Sequence, residues 1–194
     1  MKFIISAYRA EAESLLSFSE FASDRSIREF QVFRSGYAVL GISGEGKRQA
    51  EKLTELLISR YVVELGMESS LWVNFGIAGS GSHMPGSLVY ANPVIDMETG
   101  NQWQLFLRDT EDVPVATLKT VTRPSREYQE GVIYDMEASG MLSVLSRHSL
   151  IRQALVLKLI SDGPDHPYHR ITKSGILKLL SNGEQKLHSI IRAL

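Results

Sequence analysis

The sequence contains no cysteine. Disulfides and thiolate metal sites are therefore excluded, and the absence is compatible with a reducing compartment. Long apolar runs are also missing, since no stretch approaches the roughly 18–20 apolar residues of a membrane span. The apolar run at residues 2–7 is followed at once by Arg9 and Glu11. A secretory signal needs an apolar core of about 7–15 residues, so this run reads as a first strand and the expected location is the cytoplasm. Net charge is nearly absent: 21 Lys+Arg against 22 Asp+Glu leave a formal charge of −1. Such a balance offers no general attraction for nucleic acid or a membrane surface, and neither is expected as a partner. There is no internal repeat and no low-complexity linker. The five histidines are scattered, and Pro167 between His166 and His169 argues against a helical metal pair. No metal and no cofactor is expected.

What remains is a chain of 194 residues, 43% hydrophobic, enough for one domain over residues 1–194 with a full core. Strands are predicted at residues 2–7, 31–34, 37–42, 71–75, 87–94, 102–107, 115–121, 132–134 and 154–160. Ser35-Gly36 reads as a hairpin turn. The run at 154–160 is almost continuously apolar, as in the middle of a sheet. Helical spacing covers residues 11–21, with Leu15, Leu16 and Phe18 as core candidates, and the helix after Lys47, with Ala50, Leu53, Leu56, Leu57 and Tyr61. Two further helices are predicted at 135–147 and 171–194, the second interrupted at Asn182-Gly183. The expected fold is α/β, a single domain with a central mixed sheet flanked by helices.

Chemistry-bearing residues gather where predicted strands end, which is where α/β proteins form ligand crevices. Two stretches carry most of the signal: Tyr134-Asp135-Met136-Glu137-Ala138-Ser139-Gly140, and Leu159-Ile160-Ser161-Asp162-Gly163-Pro164-Asp165. Glu137 falls in the first turn of a predicted helix, where it either complements the helix dipole or faces a crevice. Asp162 follows the most hydrophobic strand. It is either an N-cap or Asx-turn residue, or a half-buried carboxyl suited to donating a proton. Glu11, near the start of the first helix, has the same two readings as Glu137. Gly76-Ile77-Ala78-Gly79 reads as part of a glycine-rich turn over residues 76–82, which either packs against a helix or leaves room for a flat ring or sugar. Ser43-Gly44-Glu45-Gly46-Lys47 ends a strand and opens a helix. It is either a plain tight turn or a cradle for a ligand oxygen, with Gly44, Gly46 and Lys47 as candidate phosphate contacts. It is neither a Walker loop nor a complete GxGxxG pattern.

Together these residues resemble the purine nucleoside phosphorylase and nucleosidase superfamily, with the closest likeness to its methylthioadenosine/S-adenosylhomocysteine nucleosidase branch and to phosphorylase-like relatives. The likeness covers most of the chain. It rests on the opening strand followed by Ala10-Glu11-Ala12, on residues 74–79, on Asp135-Met136-Glu137-Ala138, and on Ile160-Ser161-Asp162. The resemblance implies that Glu11 activates water, Glu137 holds the ribose hydroxyls and stabilises a cationic sugar, and Asp162 protonates the purine. It also implies that Met136 packs on the ribose, and that Ile77, Ala78, Gly79, Lys158 and Ser161 belong to the substrate site.

The sequence departs from that pattern in four respects. Ile77 stands where many relatives have a hydroxyl residue, and Lys158 where the nucleosidases have arginine. The segment around 90–134 is shortened and has no evident helix. The phenylalanine that stacks on the purine has no match, with Thr122 and Arg123 near that point. Three functions stay open at this level: a nucleosidase for a purine, adenine-type nucleoside; a phosphate-dependent phosphorylase; and a non-catalytic nucleoside-binding protein. The resemblance also implies a homodimer or higher homo-oligomer.

Overall fold

The computed structural model describes residues 1–18, 20–62, 70–106 and 113–193. The first half sets two helices among its strands: β1 (Lys2–Ser6), α1 (Arg9–Phe18), β2 (Ala22–Ser23), β3 (Gln31–Arg34), β4 (Ala38–Ile42), α2 (Lys47–Leu57) and β5 (Leu71–Ser80). Four strands follow with no helix between them among the described residues: β6 (Leu88–Asp96), β7 (Gln102–Trp103), β8 (Val115–Thr120) and β9 (Val132–Asp135). The chain closes with α3 (Ala138–Arg147), β10 (Ala154–Asp162) and α4 (Lys173–Ala193). None of the described helices is long and apolar enough to cross a membrane.

All the strands join one mixed sheet. β1 lies between β4 and β5, parallel to both, and β5 is also parallel to β10. From β10 the ladder runs through β6, β8 and β9 and returns to β5, so five strands close a small ring with an open wing at β1-β4-β3-β2. β10 sits at the junction between two ladders and is buried at all nine positions. That explains its apolar run, interrupted only by Lys158 over residues 154–160, since a strand with both faces covered has no polar side.

Two apolar layers hold the sheet between helices. One contains Phe3, Trp72, Val156, Leu53, Leu57, Met141 and Leu145, under α2 and α3. The other contains Ile4, Val73, Phe75, Leu157, Leu15, Leu180 and Leu187, under α1 and α4. Phe3 and Trp72 stack at 4.4 Å between ring centres. Burying a side chain of Leu or Phe size contributes about 1.5–3 kcal/mol.

Several sequence expectations need correction. Residues 76–79 are not a turn, because β5 continues through them to Ser80. Glycine there serves close approach rather than bending. A Cβ on Gly76 would meet the Glu11 carboxylate at 3.3 Å, and one on Gly79 would meet Asp162 at 2.6 Å. α4 passes through Asn182-Gly183 without a break. The loss of about 1 kcal/mol for a mid-helix glycine is outweighed by the buried stripe Ile176, Leu180, Leu187 and Ile191. α2 is followed by a wider π-helical turn, Ile58–Val62, which carries Tyr61. The expected strand at 102–107 is only Gln102–Trp103, and Leu107 lies outside the described residues, as does the Phe18 side chain.

α2 and α3 pack so closely that a Cβ on Gly140 would lie 2.2 Å from the Lys47 carbonyl oxygen. This contact sets the starts of the two helices side by side. Gly140→Ala is expected to lower stability by about 1–3 kcal/mol, read as a shift in urea midpoint at unchanged m-value.

Candidate active site

A cavity of about 300 Å³ opens beyond the ends of β1, β5, β9 and β10. Its wall includes Glu11, Glu137 and Asp162, which are far apart in sequence and meet only through the fold. Met136, Ile77, Ala78, Gly79 and Ser161 line it too. Lys158 does not, and lies just behind the wall.

Glu11 is the third residue of α1 and only 2% exposed. Its Oε2 accepts hydrogen bonds from the amides of Ala7 and Tyr8, both at 3.0 Å. Its Oε1 accepts from the Ile77 amide at 3.2 Å. Folding back onto the residue before the helix is half of a capping box, so the helix-start role is real. It coexists with a place on the cavity wall. Burial pushes this carboxyl upward, while the three amides and the Lys158 charge restrain it.

Glu137 is the residue before α3 rather than part of its first turn. The capping role passes to Asp135, whose Oδ2 accepts the Ala138 amide at 2.8 Å. Glu137 is thereby free to turn towards the cavity, where its Oε1 accepts the Gly46 amide at 2.8 Å. Behind it, the Lys158 ammonium pairs with Asp135 Oδ2 at 2.7 Å, both side chains being at most 1% exposed. The Thr120 hydroxyl donates to the other Asp135 oxygen at 2.7 Å. Burial pushes the Glu137 carboxyl up to about 7, aided by Asp135 and opposed by Lys158.

Asp162 ends β10 instead of following it. Between Ile160 and Asp162 the pairing with β5 slips by one residue, a bulge at Ser161. Bulges re-aim side chains, and this one accompanies two successive residues that both line the cavity. The Ser161 hydroxyl donates to Asp162 Oδ1 at 2.5 Å and the Tyr128 hydroxyl to Oδ2 at 2.7 Å. Burial and the neighbouring carboxylate both hold the proton on Tyr128.

The candidate phosphate turn is largely committed elsewhere. The Gly46 amide serves Glu137, and the Lys47 ammonium pairs with Asp96 at 2.7 Å and Glu98 at 3.0 Å. These residues border a second cavity of about 330 Å³, whose wall also holds Glu45, Arg48 and Met136. Gly44 has φ +82° and lines neither cavity.

Sequence reasoning missed the tyrosines. Tyr8, Tyr128, Tyr134 and Tyr168 all line the first cavity. Tyr8 donates a very short hydrogen bond to Glu45, which also stands on the wall. The available signal was Tyr128, in the polar stretch ahead of Tyr134-Asp135-Met136-Glu137. A polar stretch with one aromatic gives no indication of which way its ring turns.

No family model matches the chain, and no curated protein matches it. Solved structures do. A 5′-methylthioadenosine/S-adenosylhomocysteine nucleosidase from Campylobacter jejuni superposes with a TM-score of 0.77 at 12% identity, covering 100% of this chain and 99% of the other. The Neisseria meningitidis nucleosidase in complex with methylthio-immucillin-A gives 0.75 at 17% identity, with 100% and 99% covered. A futalosine hydrolase mutant from Helicobacter pylori gives 0.73 at 14%, with the same coverage. The chain shares the fold of these three structures over its full length. At these identities the likeness is one of fold, and fold alone does not fix activity.

Two stability predictions come from the charge cluster. Folded, Glu137 keeps its proton up to about pH 7, against an ordinary value of 4.5. Its favourable contribution is therefore present below about pH 4.5 and is lost as pH rises through about 7. Glu137→Gln is expected to melt a few degrees above the wild type at pH 8, with the difference vanishing near pH 4, at about 2–4 °C per kcal/mol. Lys158→Met leaves Asp135 buried without its partner, and should cost about 3–5 kcal/mol in denaturant unfolding at neutral pH.

Proposed function

We propose that the protein is a nucleosidase that hydrolyses the N-glycosidic bond of a purine nucleoside, adenine being the favoured base. The observation that carries this reading is the convergence of Glu11, Glu137 and Asp162 on one cavity. Glycoside cleavage by water needs a base for the water, a negative group beside the developing sugar cation, and an acid for the leaving group. The three carboxyls can divide these tasks. Glu11 would take a proton from water as its oxygen bonds to the anomeric carbon. The bonding pair of the C–N bond leaves with the purine, and Asp162 would act as the general acid that delivers a proton to N7. Glu137 would accept hydrogen bonds from the ribose hydroxyls and oppose the positive charge. Met136 and Ile77 supply apolar contact on the same wall. Adenine is favoured because a carboxyl group can also accept from a 6-amino group.

The alternative nucleophile, inorganic phosphate, finds little support. An anion needs unpaired donors, whereas the Gly46 amide is bonded to Glu137 and Lys47 is engaged by two carboxylates. The Neisseria relative, with methylthio-immucillin-A bound, supports a small nucleoside-like ligand.

The test is purine release from methylthioadenosine, adenosine and inosine, with and without phosphate. Release without phosphate is expected, falling about 10²–10⁴-fold in Asp162→Asn. Release only with phosphate would overturn hydrolysis. No release from any nucleoside at high enzyme concentration would leave a binding protein.

A further inference from the structure

Gly79 and Ala78 leave a flat slot against β5, and in this structure the slot is already filled by a side chain of the protein. The Tyr128 ring lies over Gly79, with its Cε1 only 2.7 Å from where a Cβ would be. It packs nearly perpendicular to Tyr134, at 6.1 Å between ring centres and 83° between planes. Its hydroxyl donates to Asp162 Oδ2 at 2.7 Å. An aromatic ring against a glycine backbone, with one donor on the acidic end of the cavity, is the arrangement a purine base would adopt at this site under the function proposed above.

We propose that Tyr128 is a built-in occupant of the base slot, and that it selects the base by competing for Asp162. The inference rests on the nucleosidase reading of the site and deepens it. A base displaces the phenol only by replacing its O–H donor with an N–H donor of its own. A 6-amino purine can do so. A 6-oxo purine directs a carbonyl oxygen at the carboxylate and can replace the donor only through a protonated ring nitrogen. The loop that carries Tyr128 is fixed at both ends, by the parallel pairing of β8 with β9 and by the Gly131 amide donating to the Ser82 hydroxyl at 2.7 Å. The exchange therefore involves the side chain and its near neighbours.

The test measures adenine binding directly, apart from turnover. Calorimetry on wild type and Tyr128→Phe should give about tenfold tighter binding in the variant, the scale of one lost hydrogen bond. In stopped flow, the observed adenine association rate of the wild type should level off with concentration at the rate at which Tyr128 leaves, and the plateau should be higher in Tyr128→Phe, whose ring is no longer tethered to Asp162. Adenine binding that is unchanged or weaker in a folded Tyr128→Phe overturns the competition while leaving the nucleosidase reading intact. If the variant does not fold, wild-type kinetics decide, and a rate linear in adenine overturns the proposal. Failure of adenine to bind either protein, together with no purine release, overturns both.

Discussion

A single buried ammonium holds the site together. Asp135, Glu137 and Glu11 gather at one end of the sheet, and Lys158 reaches them from the interior of β10. Burying a charge without a partner costs several kcal/mol even after relaxation. Lys158 can therefore be buried only because Asp135 meets it, and Asp135 only because Lys158, Thr120 and the Ala138 amide satisfy its oxygens. Once that pair has formed, the start of α3 is fixed and Glu137 must leave the helix axis. One positive charge against three carboxyls leaves an excess of negative charge in a poorly solvated space. Burial drives the upward push on both Glu11 and Glu137, and the charge of Asp135 adds to it at Glu137.

The helices serve the same arrangement from outside. Close contact at Gly140 brings the start of α2 to the start of α3, so the Gly46 amide reaches Glu137. Lys47, next in sequence, turns the other way to Asp96 and Glu98 at the end of β6. A turn that resembles an oxyanion cradle in sequence is thus part of the scaffold that orients a carboxylate.

Much of this was legible in the chain, because the signals were local. The apolar run of β10, the amphipathic stripe of α2 and acidic residues at strand ends each follow from residue type and spacing. Glu11, Glu137 and Asp162 could be named for that reason. What escaped depends on contacts across the fold. Gly76 and Gly79 read as turn residues because glycine usually marks turns, whereas here they admit Glu11 and Asp162 to the face of a continuing strand. Lys158 and Asp135 are 23 positions apart, and nothing in either segment announces the pair. Tyr128 lies in a polar loop, and its bond to Asp162 exists only once β10 and that loop are brought together.

The cluster also explains why burial and chemistry belong together at this cavity. An ordinary glutamate is a weak base for water, because general-base efficiency falls with the basicity of the group. Removing Glu11 from solvent raises its basicity, while three main-chain amides keep the carboxylate oriented. The same desolvation opposes folding, so the acids cost stability where they would aid reaction, a trade commonly seen at active sites. Asp162 is held differently, by two hydroxyl donors rather than by amides. Hydroxyls can rotate or withdraw as a ligand enters, whereas main-chain amides cannot. Of the two carboxyls, Asp162 therefore has the surroundings that can change between an empty and an occupied cavity. Glu11 is the one whose orientation is set before any ligand arrives. Under the nucleosidase reading proposed here, Glu11 would be a fixed base beside an adaptable acid, Asp162, which suits a reaction in which water is activated at one end of the ligand and the leaving group is protonated at the other.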